Sequence, residues 1–230
     1  MRAAATDAEV ACPEARRQLR ARLRGLYAVT PDDDDTARLV RVVAAAIDGG
    51  ASAIQYRHKH AAPPLRLEQA AALAEVCRGR ALFVVNDDPA LAARVGADGV
   101  HVGEDDAAIA IARAATGPDM LIGVSCYDDI ERARRAVTEG ADYVAFGSFH
   151  PSAIKPAARR AGVAQLAAGR ALGVPVVAIG GITAANAPPL FAAGASAVAV
   201  ISAVFADPDP PAVARAARAI AAAAQPTPGR

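Results

Sequence analysis

Gln55, Arg57 and Lys59 stand at alternate positions where an apolar, strand-like run of the sequence ends. In an extended chain alternate residues point to the same side, so these three side chains are expected to converge. An amide, a guanidinium and an ammonium in such an arrangement suit a polyanion such as pyrophosphate, because arginine binds it through parallel hydrogen bonds and lysine through a compact charge. The alternative is a solvated strand end whose cations reach into water.

Carboxylates follow the next two apolar runs, at residues 87–88 and 104–106. Oxygen ligands beside a cationic cluster suit a Mg²⁺ ion, which takes one or two carboxylates and completes its octahedron with phosphate oxygens and water. One carboxylate in each segment, Asp88 in the first and Asp105 or Asp106 in the second, is expected instead to cap the helix that follows.

Three candidate residues belong to residue types that are rare in this chain. Of the 25 basic residues only Lys59 and Lys155 are lysines, and asparagine occurs only at Asn86 and Asn186. A chain that otherwise uses arginine is expected to keep lysine where a compact, flexible ammonium is required. Retention by chance is the alternative.

Polar and glycine-rich segments also end the later apolar runs. Ser125 ends one run, a proline-containing loop with Lys155 follows the next, and Gly181 and Ser202 follow the last two. Glycine lets backbone N–H groups approach a phosphate, so the last two segments are interpreted as a phosphate cradle and the long loop as a lid over an anionic substrate. His101 is expected either in the core or near this site, and the aspartates at 32–35 in a solvated turn that caps a helix.

A repeated pattern indicates how these segments are positioned. Glycine and alanine, followed by aspartate or serine, precede an apolar run at Gly50, Gly96, Gly140 and Gly194. Each glycine is expected to end a helix in the left-handed conformation, and each apolar run to form a buried parallel strand. The predicted strands are 26–30, 53–57, 81–86, 99–102, 121–125, 143–147, 176–180 and 197–202. Helices are predicted between them, for example at 39–48, 67–77, 130–139 and 163–172.

Eight alternating strands and helices in about 200 residues predict a (β/α)8 barrel. The predicted organisation is an N-terminal helical extension over residues 1–25, one catalytic barrel over 26–224 and a tail over 225–230. In such barrels the chemistry lies at the carboxyl ends of the strands, which is where the polar segments fall. A doubly wound open sheet is the alternative, but no Gly-x-Gly-x-x-Gly follows the first predicted strand.

The composition excludes several classes of protein. The 230 residues are 53% hydrophobic and 21% charged, which is typical of one compact domain. A net charge of +1 provides no basic surface for nucleic acid or anionic lipid. No apolar stretch approaches the ~20 residues of a membrane-spanning helix, and no signal-peptide core is evident, so a cytoplasmic location is expected. Cys12, Cys77 and Cys126 have no metal-binding or redox spacing and are expected to be free thiols.

This ordered set of motifs resembles the thiamine-phosphate synthase family over residues 26–205. The matching segments are Gln55-x-Arg57-x-Lys59, Asn86-Asp87, 97–106 with His101 and Asp106, Gly123-Val124-Ser125, 140–143, 151–155 and 179–182. Both lysines and one of the two asparagines fall on motif positions, which argues against their retention by chance.

The resemblance implies a transferase that condenses 4-amino-2-methyl-5-(diphosphooxymethyl)pyrimidine with a thiazole phosphate, giving thiamine phosphate and pyrophosphate. It implies Mg²⁺ as cofactor, bound by Asp87 and Asp106, and a catalytic contribution from Arg57, Lys59, Ser125 and Lys155. The implied substrate-binding residues are Gln55, Tyr56, Arg57, His58, Lys59, Asn86, Ser125, Ser152, Ala153, Ile154, Lys155, Gly181, Ile201 and Ser202. The implied reaction is dissociative, with a pyrimidine-stabilised carbocation attacked by the thiazole nitrogen and no covalent enzyme intermediate.

Two other functions stay open at this point. A thiazole tautomerase uses the same barrel on the thiazole phosphate alone, but the resemblance gives that paralogue a histidine where this chain has Tyr127. A barrel that binds a phosphorylated ligand without catalysis is the second alternative. The expected partners are small molecules, and the oligomeric state is left open, with a homo-oligomer compatible with the sequence.

One departure from the family pattern leads to a testable prediction. The family usually has Pro-Thr-x-Thr-Lys in the sixth loop, whereas this chain has Pro-Ser-Ala-Ile-Lys at 151–155. The missing second hydroxyl, at Ile154, is expected to weaken binding of the thiazole phosphate by roughly 0.5–1.5 kcal/mol, the value of one hydrogen bond. Calorimetric titration of the wild type and of Ile154→Thr measures the difference, and equal affinities would contradict the prediction.

Overall fold

The computed structural model describes residues 13–103, 108–151 and 160–224. Its strands are β1 (Gly25–Val29), β2 (Ala51–Tyr56), β3 (Leu82–Asn86), β4 (Gly99–Val102), β5 (Leu121–Tyr127), β6 (Tyr143–Gly147), β7 (Val176–Ile179) and β8 (Ala197–Val200). All eight are parallel, each pairs with its neighbours in chain order, and β1 pairs with β8 to close the barrel. The predicted (β/α)8 barrel is therefore confirmed, and the doubly wound alternative is wrong.

Helices follow the strands on the outside of the barrel. Those in the described residues are α1 (Glu14–Arg22), α2 (Thr36–Asp48), α3 (Pro63–Cys77), α4 (Pro89–Val95), α5 (Ala108–Thr116), α6 (Ile130–Thr138), α7 (Val163–Arg170), α8 (Pro188–Ala192), α9 (Ser202–Phe205) and α10 (Pro210–Ala222). Within this part of the chain, no helix is both long and apolar enough to cross a membrane. Predicted strand bounds agree within one residue, except that β2 begins two residues earlier, β5 ends two residues later and β8 ends two residues earlier than predicted.

The repeated Gly-Ala-Asp/Ser pattern forms a similar junction at each occurrence. Its four glycines have positive φ angles between 65° and 114°, a conformation that costs glycine little. The Asp98 carboxylate accepts from the Phe83 N–H at 2.8 Å, and the Asp142 carboxylate accepts from the Ile122 N–H at 2.9 Å. Both donors lie near the start of the preceding strand. The repeated aspartates therefore tie neighbouring strands together at the amino end of the barrel.

Side chains of the strands form two apolar layers because they alternate in direction. Ile54, Val100 and Val144 belong to the outer layer, which packs between the strands and the helices. A smaller inner layer fills the barrel interior. Its buried members are Leu23, Tyr27, Val29, Ala53, Leu82, Val84, Leu121, Tyr143, Ala145, Val177, Ala197 and Ala199.

Helix α1 lies against the amino end of the barrel. Leu19 packs on the inner layer, and Leu23, directly after the helix, belongs to that layer and is 2% exposed. Arg20 Nε of α1 and Arg113 Nη2 of α5 each donate to the fully buried carboxylate of Asp142 at 2.8 Å. The helical part of the predicted N-terminal extension is thus held to the barrel by apolar packing and by a buried ion pair.

Two of the three thiols are expected to be unreactive in the native protein. Cys77 is 1% exposed, Cys126 is 0% exposed, and both are free, as predicted. Burial raises the pKa of each thiol to about 12, so very little reactive thiolate forms near neutral pH. Titration with DTNB at pH 8 should therefore detect at most one thiol in the native chain and all three after denaturation. Rapid reaction of two native thiols would contradict this prediction.

Candidate active site

A cavity of about 540 Å³ opens at the carboxyl end of the barrel. All eight strands contribute to its lining, and the inward-facing Ala145 and Ala199 leave space that larger side chains would fill. The predicted site residues in the lining are Gln55, Arg57, Asn86, Ser125, Gly181, Ile201 and Ser202. The barrel therefore brings together residues from the ends of β2, β3 and β5 and from the loops after β7 and β8.

The loop after β7 begins with two glycines in left-handed conformations. Gly180 has a φ of 107° and Gly181 a φ of 61°. A Cβ at Gly180 would overlap Ser148, and a Cβ at Gly181 would overlap the backbone of Pro151. The His150 N–H donates to the Gly180 carbonyl at 3.0 Å, so the loops after β6 and β7 pack backbone to backbone. The glycine pair, predicted to cradle a phosphate, thus also meets a packing requirement.

A chain of hydrogen bonds crosses the barrel interior at the cavity wall. Gln55 Nε2 lies 2.9 Å from Tyr27 Oη, which lies 2.9 Å from Tyr143 Oη. Tyr143 Oη lies 3.1 Å from His101 Nδ1, and His101 Nε2 lies 2.9 Å from Ser125 Oγ. These five residues, which come from β2, β1, β6, β4 and β5 in that order, are called the polar relay below.

Burial keeps the ionisable members of the polar relay neutral. His101 is 8% exposed, and its removal from water lowers its pKa to about 4. Burial raises the pKa of Tyr27 to about 12 and the pKa of Tyr143 well above its usual value of 10. At neutral pH His101 therefore has one donor and one acceptor nitrogen. His101 lies in the core and also lines the cavity, so it occupies both of the positions that the sequence analysis offered as alternatives.

Ser125 and His101 form a pair without the third member of a hydrolase triad. The second ring nitrogen of His101 contacts the hydroxyl of Tyr143 rather than a carboxylate. Within the described part of the chain, no carboxylate hydrogen-bonds to this imidazole. The pair therefore lacks the group that orients histidine as a general base in Ser-His-Asp enzymes.

A smaller cavity of about 180 Å³ adjoins the first and is rich in charged groups. Arg57 and Asn86 line both cavities, and Lys59, Arg66 and Asp87 complete the charged lining of the second. Three basic side chains line it together with Asp87, and two of them also face neighbouring aspartates: Arg57 lies 3.8 Å from Asp32, and Arg66 lies 2.8 Å from Asp88. Such a site suits phosphate groups that bind together with a cation.

Asp87 is held at the end of β3 by its backbone and by its neighbour. Its φ angle is 59°, its N–H donates to the His101 carbonyl at 2.8 Å, and Asn86 Nδ2 donates to Asp87 Oδ2 at 2.7 Å. Oδ1 faces Gly103, where a Cβ would lie 3.9 Å away, and it accepts no hydrogen bond from the described residues. A carboxylate oxygen left available in this way is chemically suited to Mg²⁺.

The predicted cluster of Gln55, Arg57 and Lys59 is only partly realised. Gln55 points into the barrel, whereas Lys59 lies at the second cavity. The reason is that β2 ends at Tyr56, and strict alternation ends with the strand. The third donor beside Arg57 and Lys59 is Arg66 of α3. Tyr56 itself lines the second cavity with its body, while its hydroxyl bonds to α3.

The aspartate run after β1 supports the segment after β2. Asp35 caps α2, as predicted. Asp32 accepts from the Lys59 N–H at 3.2 Å, and Asp34 Oδ1 lies 3.0 Å from His58 Nε2. The prediction of a solvated capping turn was therefore incomplete, because two members of the run also position the cationic segment.

Several predicted site residues lie outside the described residues. They are Asp106, Ser152, Ala153, Ile154 and Lys155. Their implied roles remain predictions, as does the lid function of the loop that contains Lys155. No group of three or more His, Cys, Asp or Glu side chains suited to a metal ion occurs in the described ranges. A cation at Asp87 would therefore also use Asp106 or oxygen atoms of a ligand.

Sequence reasoning gave no site role to Tyr27, Tyr143 or Arg66, although Tyr143 ends the matching segment 140–143. Both tyrosines lie in apolar runs, where an aromatic residue usually indicates a core position. One property could have indicated a polar role for them. A buried tyrosine hydroxyl needs a hydrogen-bond partner, and the chain has only four tyrosines. Arg66 is one of many arginines, and nothing in its local sequence distinguishes it.

Several known proteins with similar sequences are named for the same activity. A family model described as thiamine monophosphate synthase matches residues 26–204. The thiamine-phosphate synthase of Methylobacillus flagellatus is 53% identical over 184 residues, covering 80% of this chain and 88% of that protein. The protein of the same name from Chromobacterium violaceum is 55% identical over 196 residues, covering 85% of this chain and 95% of that protein.

A solved structure whose title names the same activity has a similar fold. The thiamine phosphate pyrophosphorylase from Pyrococcus furiosus superimposes with a TM-score of 0.76 at 37% sequence identity, covering 89% of this chain and 98% of that chain. The family model spans all eight strands except the first residue of β1, and it includes every residue that lines the two cavities except Ala206. This chain therefore belongs to the thiamine monophosphate synthase family.

Proposed function

We propose that this protein condenses an aminopyrimidine pyrophosphate with a thiazole phosphate, forming thiamine phosphate and releasing pyrophosphate. The observation that carries the proposal is the pair of adjoining cavities that share Arg57 and Asn86. The larger cavity has room for aromatic rings, and the smaller one has three basic side chains. A substrate that joins a ring to a pyrophosphate matches this division. Membership of the family supports the same activity.

We assign the two phosphate-bearing ends to opposite parts of the site. The pyrophosphate belongs with Arg57 and Lys59 at the smaller cavity, to which Lys155 is proposed to contribute. The thiazole phosphate belongs with Gly181 and Ser202, because the loops after the seventh and eighth strands are the usual phosphate site of such barrels. The proposed thiazole-phosphate site also includes Ile201 and residues 152–154.

Asp87 fits a Mg²⁺ ion, and Asp106 is proposed as its second carboxylate ligand. Two carboxylates, together with oxygens of a pyrophosphate and with water, would supply the ligands that this ion usually takes. A bound Mg²⁺ supplies positive charge that stabilises the departing pyrophosphate. Arg57 and Lys59 add fixed positive charge to the same group, and Asn86 orients Asp87 through its hydrogen bond.

The proposed reaction needs no nucleophile from the protein. The bond between the pyrimidine methylene carbon and the pyrophosphate oxygen breaks, and its electron pair leaves with pyrophosphate. The thiazole nitrogen then donates its lone pair to the carbocation and forms the new C–N bond. The buried thiol of Cys126 and the triad-free hydroxyl of Ser125 are both poor nucleophiles, which agrees with this course. The protein's part is to align the two substrates and to stabilise charge.

The tautomerase alternative has less support. Tyr127 lines the cavity at the position where the resemblance gives that paralogue a histidine. A smaller cavity lined by Arg57, Lys59 and Arg66, beside the main one, also suits a substrate with more phosphate groups than the single one of a tautomerase substrate. We expect the protein to work on free small molecules in the cytoplasm, and the oligomeric state stays open.

Single omissions test the proposed function. The purified protein is incubated with the pyrimidine pyrophosphate, the thiazole phosphate and Mg²⁺, and pyrophosphate and thiamine phosphate are measured together. Equal amounts of both products, formed only when all three components are present, are expected. Binding of the thiazole phosphate without release of pyrophosphate would exclude the synthase and favour the tautomerase or the non-catalytic barrel.

A further inference from the structure

The direction of each hydrogen bond in the polar relay follows from the preceding one. Gln55 Nε2 can only donate, so Tyr27 Oη accepts from it and gives its own proton to Tyr143 Oη, its other partner among the described residues. Tyr143 therefore donates to His101 Nδ1. A neutral imidazole with an unprotonated Nδ1 has its proton on Nε2, which donates to Ser125 Oγ.

The two ends of the polar relay face the main cavity with opposite polarity. Because Gln55 Nε2 is bound to Tyr27, the amide presents its carbonyl oxygen, which has no partner among the described residues. Because Ser125 Oγ accepts from His101, its hydroxyl proton stays available for a ligand. The Gln55 end therefore accepts hydrogen bonds, and the Ser125 end donates them.

The opposite polarity requires all five residues to reverse together. If the Gln55 amide alone rotated, its carbonyl oxygen and Tyr27 Oη would face each other with no proton between them. Tyr27 is 1% exposed and Tyr143 is 0% exposed, so bulk water does not supply the missing proton. Unsatisfied buried polar groups are costly, and hydrogen bonds in a continuous chain strengthen one another. The hydrogen bonds of the polar relay therefore change direction only together, and one direction is preferred.

We propose that the polar relay fixes the hydrogen-bond polarity of the cavity and thereby selects an aminopyrimidine over the corresponding oxopyrimidine. This inference rests on the proposed function and deepens it. An exocyclic amine donates to the Gln55 carbonyl, and an unprotonated ring nitrogen accepts from the Ser125 hydroxyl. An oxo group in place of the amine sets one acceptor against another at Gln55. Tyr27, Tyr143 and His101 are positioning residues, because they act through the two ends.

Gly123 preserves the space that the polar relay needs. It pairs with Tyr143 in the register of β5 and β6, and a Cβ at this position would overlap the Tyr143 ring. That ring stacks on His101 with centroids 5.6 Å apart and meets Tyr27 edge-on at 6.2 Å. Gly123→Ala therefore displaces the central residue of the relay without removing any of its polar groups.

Substrate choice in relay variants tests the proposal. The ratio of kcat/KM for the 4-amino and 4-oxo pyrimidine pyrophosphates is measured for the wild type, Tyr27→Phe and Gly123→Ala. The wild type should prefer the amino compound by at least about 100-fold, because a hydrogen-bonding site strongly rejects a mismatched analogue. Each variant should lower this preference by about tenfold or more, since the Gln55 amide then rotates freely. An unchanged preference in both variants overturns the proposal.

A matched control removes a hydroxyl from elsewhere in the same barrel. Ser52 Oγ donates to the Leu26 carbonyl at 3.1 Å near the amino end of the barrel, outside both cavities. Ser52→Ala should keep the wild-type preference. If Ser52→Ala lowers the preference as much as Tyr27→Phe does, the loss reflects general destabilisation and the proposal fails.

The tautomer of His101 provides a second measurement, which needs no variant of the relay to fold. Nitrogen-15 spectra of histidine-labelled wild type at pH 7 should show the His101 proton on Nε2. The signal is assigned with variants of the other three histidines, His58, His60 and His150. A proton on Nδ1 would mean that the hydrogen bonds of the polar relay run in the opposite direction, and this result would overturn the proposal.

The two proposals fail in distinguishable ways. If the wild type makes no thiamine phosphate, the proposed function is wrong, whatever the tautomer of His101. Equilibrium binding of the 4-amino and 4-oxo compounds then tests selection without turnover. Preference for the amino compound would support the role of the relay, and equal binding would exclude it.

Discussion

Asp87→Asn is expected to release pyrophosphate about 10²–10³-fold more slowly than the wild type, equivalent to roughly 3–4 kcal/mol of transition-state stabilisation. Asparagine tolerates the left-handed backbone of this position, so the fold should persist. It lacks the negative charge that would attract a cation to the departing pyrophosphate. A continuous assay of pyrophosphate over a range of Mg²⁺ concentrations measures the rate, and the Mg²⁺ concentration for half-maximal activity should also rise.

The adjacent carboxylate provides a matched control for this prediction. Asp88 accepts from the Leu91 N–H at 2.9 Å at the start of α4 and from Arg66 Nη2 at 2.8 Å. Asparagine is also a good N-cap, so Asp88→Asn should stay within about threefold of the wild-type rate. A wild-type rate in Asp87→Asn, or equal losses in both variants, would exclude the role proposed for Asp87.

Asp142→Asn is expected to lower the free energy of unfolding by about 3–5 kcal/mol, the usual cost of removing one partner from a buried ion pair. The carboxylate is 0% exposed and accepts from Arg20 and Arg113 at 2.8 Å. A neutral amide removes the counter-charge of three partly buried guanidinium groups, because Arg16 also lies 3.7 Å from this carboxylate. It also loosens the attachment of α1 to the barrel. Urea unfolding followed by circular dichroism measures the change.

A variant of Asp98 serves as the control. It separates the contribution of the ion pair to stability from the contribution of the hydrogen bond to the neighbouring strand. It occupies the same position in the repeated pattern and accepts from the Phe83 N–H at 2.8 Å. No arginine side chain contacts it in the part of the chain that the structure describes. Asp98→Asn should therefore cost about 1 kcal/mol or less, because an amide oxygen still accepts the hydrogen bond. Equal losses at Asp98 and Asp142 would show that the ion pair contributes nothing.

The fold could be predicted from the sequence because its repeats are local. The glycine at each helix end, the aspartate or serine two residues later and the apolar run that follows are all determined by neighbouring residues. In a barrel, the polar residues at the carboxyl ends of all the strands reach the same rim. The sequence therefore predicts Gln55, Asn86 and Ser125 at one site, and the three residues line one cavity.

The arrangement within the site was less predictable, because it depends on where strands end and on helix packing. Alternation along β2 suggested one cluster for residues 55–59, but the strand ends at Tyr56. Arg66 reaches the smaller cavity from α3, and sequence spacing does not show which helical side chain points there. The contacts between Tyr27, Tyr143 and His101 join separate strands across the barrel interior, so no local pattern of the sequence contains them.

The close fit of Gly123 under the ring of Tyr143 also constrains how the protein evolves. A larger residue at 123 collides with the ring, whereas a smaller residue at 143 leaves a void beside the glycine. Each single replacement is therefore disfavoured while the other residue is unchanged. Lineages that retain the tyrosine should retain the glycine, and lineages that lose one should have changed both. Substitutions at the two positions are therefore expected to occur together, although nineteen residues separate them in the chain.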